Sequence, residues 1–405
     1  MTADLLAIAD SVVAMARSGE QVEAVVVRGV DTEIRAYGGE VESLSSAQSQ
    51  GVGIRVIVDG RQGFAYAGSL DADVVAETLA EARDNVAFAT HDEFVGLAEP
   101  DGVGLPTLDL HRASLASTPI DRKVALALEL ERAVLGADAR IVGIESAEYA
   151  DSDASAAVAT TTGIRSFGSE STCFVSAYVM AAEGDDVQTG FGFSVGRDPG
   201  DLDVGAAARE SADRATRMLG ASQPASGRFT VVLDPWVTAQ LFGIIGHTLG
   251  GDVVLKGRSP FADRLGESVA SPLLSLVDDP TDVRSIAATD ADGEGLAARR
   301  NVLIDGGVLR TFVHNAYSAR RARTTSTGNA VRGFRSTPSV GCLSLVPVPG
   351  STSVHDLLAA VDDGVLVQEV SGLHSGVNPV SGDFSTGAEG LRIRGGQLAE
   401  PVREF

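Results

Sequence analysis

The sequence predicts an α+β fold in three units. Three observations carry this. Apolar residues alternate with polar ones over many short stretches bounded by glycine turns, the mark of half-buried strands. A few segments switch to helical spacing behind a capping residue. Two stretches without periodicity, 96–118 and 221–227, separate the units. The expected division is an N-terminal α+β unit over 1–110, a middle α+β unit over 111–225, and a mostly-β unit over 226–405.

The N-terminal unit opens with a helix over 4–17, where Leu5, Leu6, Ile8, Val12, Val13 and Met15 make an apolar face. Strands follow over Val22–Val27, Thr32–Ala36, Val41–Ser45, Val52–Val58 and Gly63–Tyr66, an antiparallel meander. Gly38–Gly39 and Asp59–Gly60 supply turn residues between them. Asp71 is placed to cap a helix reaching about Ala87.

In the middle unit Pro119 suits a first helical turn, with the helix ending near Leu135. Strands are expected over 141–149, 155–166 and 172–182, then a hairpin at Gly184–Asp186 that returns through 188–195. A helix over Asp203–Leu219 closes the unit. The third begins with a strand at Phe229 and a helix over about 236–249, followed by strands and long glycine-rich loops.

Composition limits the function classes. The chain has 405 residues and a formal charge of −23. A field of that sign repels phosphate backbones and argues against nucleic-acid binding. The basic group Arg320, Arg321, Arg323, Arg332 and Arg335 reads as a helix end and loop pairing with nearby acids. No apolar run is long enough to span a bilayer, and Met1–Asp10 lacks a basic leader. No membrane association and a cytoplasmic location are therefore expected. Cys173 and Cys342 are far apart and form no metal-binding pair, so buried reduced thiols are expected.

Three local motifs come from residue types. Gly192-Phe-Ser-Val-Gly196 matches a nucleophile elbow, but the run around it alternates like one strand, which makes the match a coincidence. Asp290-Ala-Asp-Gly-Glu294 lacks the acidic residue a calcium loop needs further on and reads as a solvated acidic turn. Gly372-Leu-His-Ser-Gly-Val-Asn-Pro-Val-Ser-Gly-Asp-Phe-Ser385 fits neither helix nor plain strand. On residue types alone it is a surface loop with turn chemistry. Its His374, Ser375, Gly376, Asn378, Ser381, Gly382, Asp383 and Phe384 would also suit a loop gripping an extended ligand.

That last run resembles the C-terminal signature of the TldD/PmbA family, on the PmbA (TldE) side. Further matches follow in family order: Glu33–Glu42, Gly51–Val56, Phe229–Pro235, Asp292–Arg300, Asp305–Arg310 and Ser326–Ala330. The resemblance implies a C-terminal domain of the TldD/PmbA type, with the 374–384 loop and the Asp-Gly-Glu-Gly element beside a cleft. The sister TldD subunit carries His-Glu-x-x-x-His on the corresponding helix, where two histidines bind zinc and the glutamate is general base. Aligned on the Gly-His that follows, this chain has Phe242 for the first histidine and Gly243 for the glutamate, and keeps only His247. Phenylalanine cannot ligate zinc and glycine cannot take a proton. A five-residue spacing is also about 140° around a helix, so the motif would need a distortion such as a π-bulge, which Gly243 and Gly246 could retain.

The resemblance therefore implies a noncatalytic subunit of a TldD–TldE metalloprotease acting on extended or unfolded polypeptides. The zinc would sit in a TldD-like partner and none in this chain. Self-association as a homodimer stays open, as do a free-standing hydrolase with unrecognised ligands and a peptide-binding scaffold. The family has been labelled a modulator of DNA gyrase, a reading that the charge balance does not support. Family members also run on beyond the equivalent of Pro401–Phe405, so an exposed sheet edge is expected near this end.

Overall fold

A computed structural model of the chain describes residues 2–405. Its N-terminal part runs α1 (Thr2–Ala14), β1 (Gln21–Tyr37), β2 (Glu40–Val58), β3 (Arg61–Ala67) and α2 (Ala72–Val86). The middle part runs α3 (Ala113–Ser117), α4 (Ile120–Leu135), β4 (Ile141–Thr160), β5 (Arg165–Glu183), β6 (Asp186–Gly196) and α5 (Val204–Thr216). Asp71 is the N-cap of α2 as expected, Asp203, the expected start of the next helix, caps α5, and Pro119 precedes α4.

The five short strands expected before residue 67 are three long ones. The stretch Arg28-Gly-Val-Asp31 does not interrupt β1, because β2 and β4 pair with it on either side along most of its length. Their hydrogen bonds outweigh local turn preference. Likewise β4 runs unbroken over 141–160 and β5 over 165–183, with a turn at 161–164 between them. The result is one six-stranded antiparallel sheet in the order β3-β2-β1-β4-β5-β6, which crosses the boundary drawn between residues 110 and 111.

The sheet's two faces meet different neighbours. One carries α1, α2, α4 and α5. Leu5, Val12, Val75 and Leu79 pack on Val22, Val26 and Ile54 at one end. Leu126, Leu130 and Ala212 pack on Tyr149, Val175 and Val179 at the other. The opposite face receives the C-terminal part. Gly51 and Gly53 mark that contact: a Cβ on them would stand 2.2 Å from the Phe334 ring and 2.1 Å from its carbonyl oxygen.

The C-terminal part continues with β7 (Thr230–Leu233), α6 (Pro235–Thr248), α7 (Gly251–Leu255), β8 (Leu276–Asp278), β9 (Asn301–Asp305), β10 (Val308–Leu309) and α8 (Ala316–Ala322). Then come β11 (Ala330–Val331), β12 (Ser339–Val340), β13 (Leu345–Pro347), α9 (Val354–Ala359) and β14 (Asp363–Ser371). It ends with α10 (Leu373–Gly376), β15 (Val377–Asn378), β16 (Asp383–Phe384), β17 (Gly387–Arg394) and β18 (Gln397–Val402). Two four-stranded sheets organise it, β10-β9-β8-β13 and β18-β17-β14-β7. The outer strand β18 makes a parallel bridge to Ser222, whose N–H donates to the Pro401 carbonyl oxygen at 3.4 Å.

Two charged motifs depart from the sequence reading. Asp290–Glu294 is no solvated turn: Asp292 and Glu294 are 6% and 1% exposed. Two members of the basic group reach distant partners instead of nearby acids. Arg320 donates to the carbonyls of Phe94, Gly96 and Leu97, and Arg332 pairs with Glu23. Cys173 is buried and Cys342 half-buried; both are free, and burial pushes both thiols up to about 12.

Candidate functional site

Helix α6 sits between two small cores and turns a third side outward. Asp234 caps it, accepting from the Trp236 N–H at 2.9 Å, and Pro235 occupies the first turn, where its missing N–H costs nothing. Arg214 of α5 holds the cap through both carboxylate oxygens at 3.0 and 3.1 Å. Val237 and Leu241, one turn apart, pack with Val365, Val367 and Val402. Phe242 and Ile245 pack instead against Leu249, Leu276 and Leu303. That leaves Trp236, Gln240, Gly243 and His247 as the outward stripe, spaced at i, i+4, i+7 and i+11.

The stripe's C-terminal half borders a cavity of about 590 Å³, whose walls are Gln240, Gly243, Ile244 and His247 on one side. The other side is Leu373, His374, Val377 and Pro379. The structure therefore brings His247, Gly243 and His374 together, although 127 positions separate the histidines. Both rings are exposed. Phe242 is turned away into the core.

The helix is α-helical throughout 235–248, with no π turn. Gly246 has a packing reason: a Cβ there would stand 2.6 Å from Leu345 Cδ2. Gly243 has none, since a Cβ there meets nothing within 4 Å. A side chain at that position would project into the cavity.

The 372–385 run forms a turn of helix and a small hairpin, a shape that its composition hid. Gly372 adopts φ 76°, where glycine is favoured, and starts α10. Gly376 must be glycine because a Cβ would lie 1.8 Å from the Ser385 carbonyl oxygen. Asn378 Oδ1 accepts from the Val380 and Ser381 N–H groups at 3.0 and 3.3 Å. Ser381 Oγ donates to Asp383 Oδ2 at 2.7 Å, and Gly382 takes φ 80°. Asn378, Ser381, Gly382 and Asp383 thus build the hairpin between β15 and β16. His374 lines the cavity, Ser375 flanks it in the exposed turn, and Phe384 is 49% exposed on the hairpin's far strand.

The donor set at this cavity does not fit a zinc site. Two exposed imidazoles and no carboxylate line it, short of the three protein ligands that a hydrolytic zinc uses. Among the described residues no group of three or more His, Cys, Asp or Glu side chains is placed to hold a metal ion. The Ser194 elbow match is also resolved: Ser194 lies within β6 and its Oγ accepts from the Asp203 N–H at 2.9 Å, a structural bond at the start of α5.

A second cluster was not recognised in the sequence. Glu23, Arg55, Glu294 and the Arg332 side chain meet between the large sheet and the C-terminal part, each at most 5% exposed. Arg55 donates to both Glu23 oxygens, at 3.1 and 2.7 Å. Burial acts to raise the Glu23 carboxyl, but Arg55 and Arg332 win and hold it below the usual range. Glu294 goes the other way: burial raises it, Arg55 lowers it, and Glu23 raises it further. Asp292 accepts from the N–H groups of Glu294, Leu296 and Ala330, yet burial and Glu294 push it up to about 7. The one available signal was Arg55 in an otherwise apolar strand, Val52-Gly-Ile-Arg-Val-Ile.

Comparison with known proteins agrees with this architecture. Family models for the PmbA/TldA metallopeptidases match as domain 1 over 22–86, central domain over 113–219 and C-terminal domain over 226–405. Metalloprotease PmbA of Escherichia coli O157:H7 is 27% identical over 373 residues, covering 91% of this chain and 79% of the relative. A metalloprotease of Methanothermobacter thermautotrophicus is 28% identical over 374 residues, covering 90% of this chain and 80% of the relative. The crystal structure of TldE from Thermococcus kodakarensis superposes with a TM-score of 0.89 at 25% identity, over 98% of this chain and 89% of that one. With three consecutive domain models matched and the same fold throughout, the chain belongs to the PmbA/TldD metallopeptidase family.

Proposed function

We propose that this chain is the noncatalytic, TldE/PmbA-like subunit of a TldD–TldE zinc metalloprotease that cuts extended or unfolded polypeptides. The observation carrying the reading is the outward stripe of α6. Its cavity-facing position 243 is an open glycine, with room for a side chain and no packing reason to lack one. A general base is missing there, and Phe242 is committed to the core. Zinc and base would come from the TldD-like partner. This chain would supply cavity walls through His247 and the 373–379 segment.

Main-chain pairing gives a means of holding an extended substrate. β7 pairs with β14 only over Gly364–Val367, so from Gln368 to Ser371 that side of β14 has no neighbouring strand among the described residues. A peptide added there would gain backbone hydrogen bonds independent of its sequence.

The test is zinc analysis and digestion of denatured casein by the purified chain, alone and mixed with a purified His-Glu-x-x-x-His relative. The expected result is cleavage and stoichiometric zinc only in the mixture, with the two chains co-eluting. Stoichiometric zinc and cleavage by this chain alone would overturn the reading.

A further inference from the structure

A second cavity, of about 700 Å³, opens at the N-terminal end of the α6 stripe, where β6 and α5 meet Trp236 and β14. One wall is aromatic. Phe191, Phe193 and Trp236 stand with ring centroids 5.6 to 5.7 Å apart. Phe193 and Trp236 remain 38% and 43% exposed. The reason lies in β6, where glycines alternate with these phenylalanines. A Cβ on Gly190 or Gly192 would lie 2.3 or 2.2 Å from a carbonyl oxygen of α5. The helix seats directly on the backbone there, and the pleat turns Phe191 and Phe193 to the opposite side.

A second wall is anionic. Its charged residues are four carboxylates, Glu210, Asp234, Glu369 and Glu389, and one guanidinium, Arg214. Arg214 is occupied by Asp234 and Glu210. Glu369 and Glu389 lie directly opposite each other on β14 and β17. Beside them Gln368 is 8% exposed, and its Oε1 has no hydrogen-bond partner among the described residues. Buried side-chain acceptors left without a donor are rare in folded proteins. Exposed rings, facing carboxylates and an unused buried acceptor are the parts of a site for an organic cation.

We infer that this cavity binds an alkylguanidinium or alkylammonium group. The cation sits between Glu369 and Glu389, one of its N–H groups donates to Gln368 Oε1, and its stem lies on Trp236 and Phe193. An arginine or lysine side chain and a free amine such as agmatine carry the same chemistry. The peptide source rests on the cleft reading above; the free cation does not.

Trp236 is the single tryptophan of the chain, so its fluorescence reports on this cavity directly. The full chain is titrated with agmatine, with acetyl-Ala-Arg-Ala-amide and with the uncharged citrulline peptide, and calorimetry repeats each titration. Saturable binding of a guanidinium ligand is expected, with the citrulline peptide at least tenfold weaker. The doubly substituted Glu369→Gln, Glu389→Gln protein, folded by circular dichroism, should lose tenfold or more in affinity. Glu369→Gln alone repeats the comparison should the double variant not fold. An arginine peptide that binds more tightly than agmatine assigns the cavity to substrate side chains, and the reverse order assigns it to a free cation. No saturation by either ligand, equal binding of citrulline, or unchanged affinity in the variants overturns the inference. The titration needs no partner and no metal, so it stands or falls apart from the protease assay.

Discussion

Two charged or polar segments that carry the family resemblance end in opposite surroundings. Asp292 and Glu294 are buried in a joint with Glu23, Arg55 and Arg332. Asn378, Ser381 and Asp383 stand in solvent on a hairpin and satisfy one another. The difference is one of reach. The hairpin's polar groups bond within a few residues, so local sequence suffices to place them. The joint's charges find partners across the chain, with Arg332 and Glu23 separated by 309 positions. A motif shared by a family can therefore hold the domains together or line a cleft, and its polarity alone does not tell which.

Breaking the joint should have the largest effect. Glu23→Ala leaves Arg55 and Arg332 buried without their shared carboxylate. Loss of one member of a buried ion pair costs about 3–5 kcal/mol. Denaturant melts should show that loss, and a change below about 1 kcal/mol would mean that water already reaches the joint.

Asp292 sharpens the same side through pH. Its carboxyl is raised from 3.8 to about 7, so the folded state holds the proton more tightly than the unfolded chain does. The stability this contributes is fully present below about pH 3.8 and is lost as pH rises through 7, with a slope of at most roughly 1.4 kcal/mol per pH unit. Asp292→Asn should flatten stability across that window. An unaltered pH profile in the variant would refute the assignment.

Gly246→Ala tests the packed side of α6. Its new methyl would press on Leu345, and overpacking of this kind costs roughly 1–3 kcal/mol. Gly243→Ala, on the open side, should instead leave the melt unchanged or raise it slightly, because alanine is the better helix former. Equal effects at the two positions would remove the distinction between the faces.

The smallest stability effect belongs to His247→Ala and His374→Ala. Both side chains are exposed, so each change should fall within about 0.5 kcal/mol. If these residues wall a substrate cleft, casein turnover by the complex with a TldD-like partner should drop while melting is unaffected. Wild-type turnover in both variants would argue against a cleft role for this cavity.

Much of the fold is legible in the chain itself. Gly38–Gly39, Asp59–Gly60 and Gly184–Asp186 mark turns, and Asp71 and Asp203 mark helix starts, because each effect acts within one turn of backbone. The site is half legible. Phe242 and Gly243 stand where the family resemblance puts a zinc ligand and a general base, and neither side chain can do that chemistry. Residue types did not disclose that Gly243 is open while Gly246 is packed, nor that α6 is regular although its two glycines could have kept a bulge.

By itself the sequence determined several helix starts and turns, and which side chains can ligate a metal or take a proton, since all of these are properties of single residues and near neighbours. Tertiary structure alone decided that two expected units share one sheet, that an acidic turn is interior, and that His247 and His374 face one cavity. Those outcomes depend on backbone hydrogen bonds, charges and apolar surface meeting across the whole chain. No local window contains both halves of such a contact.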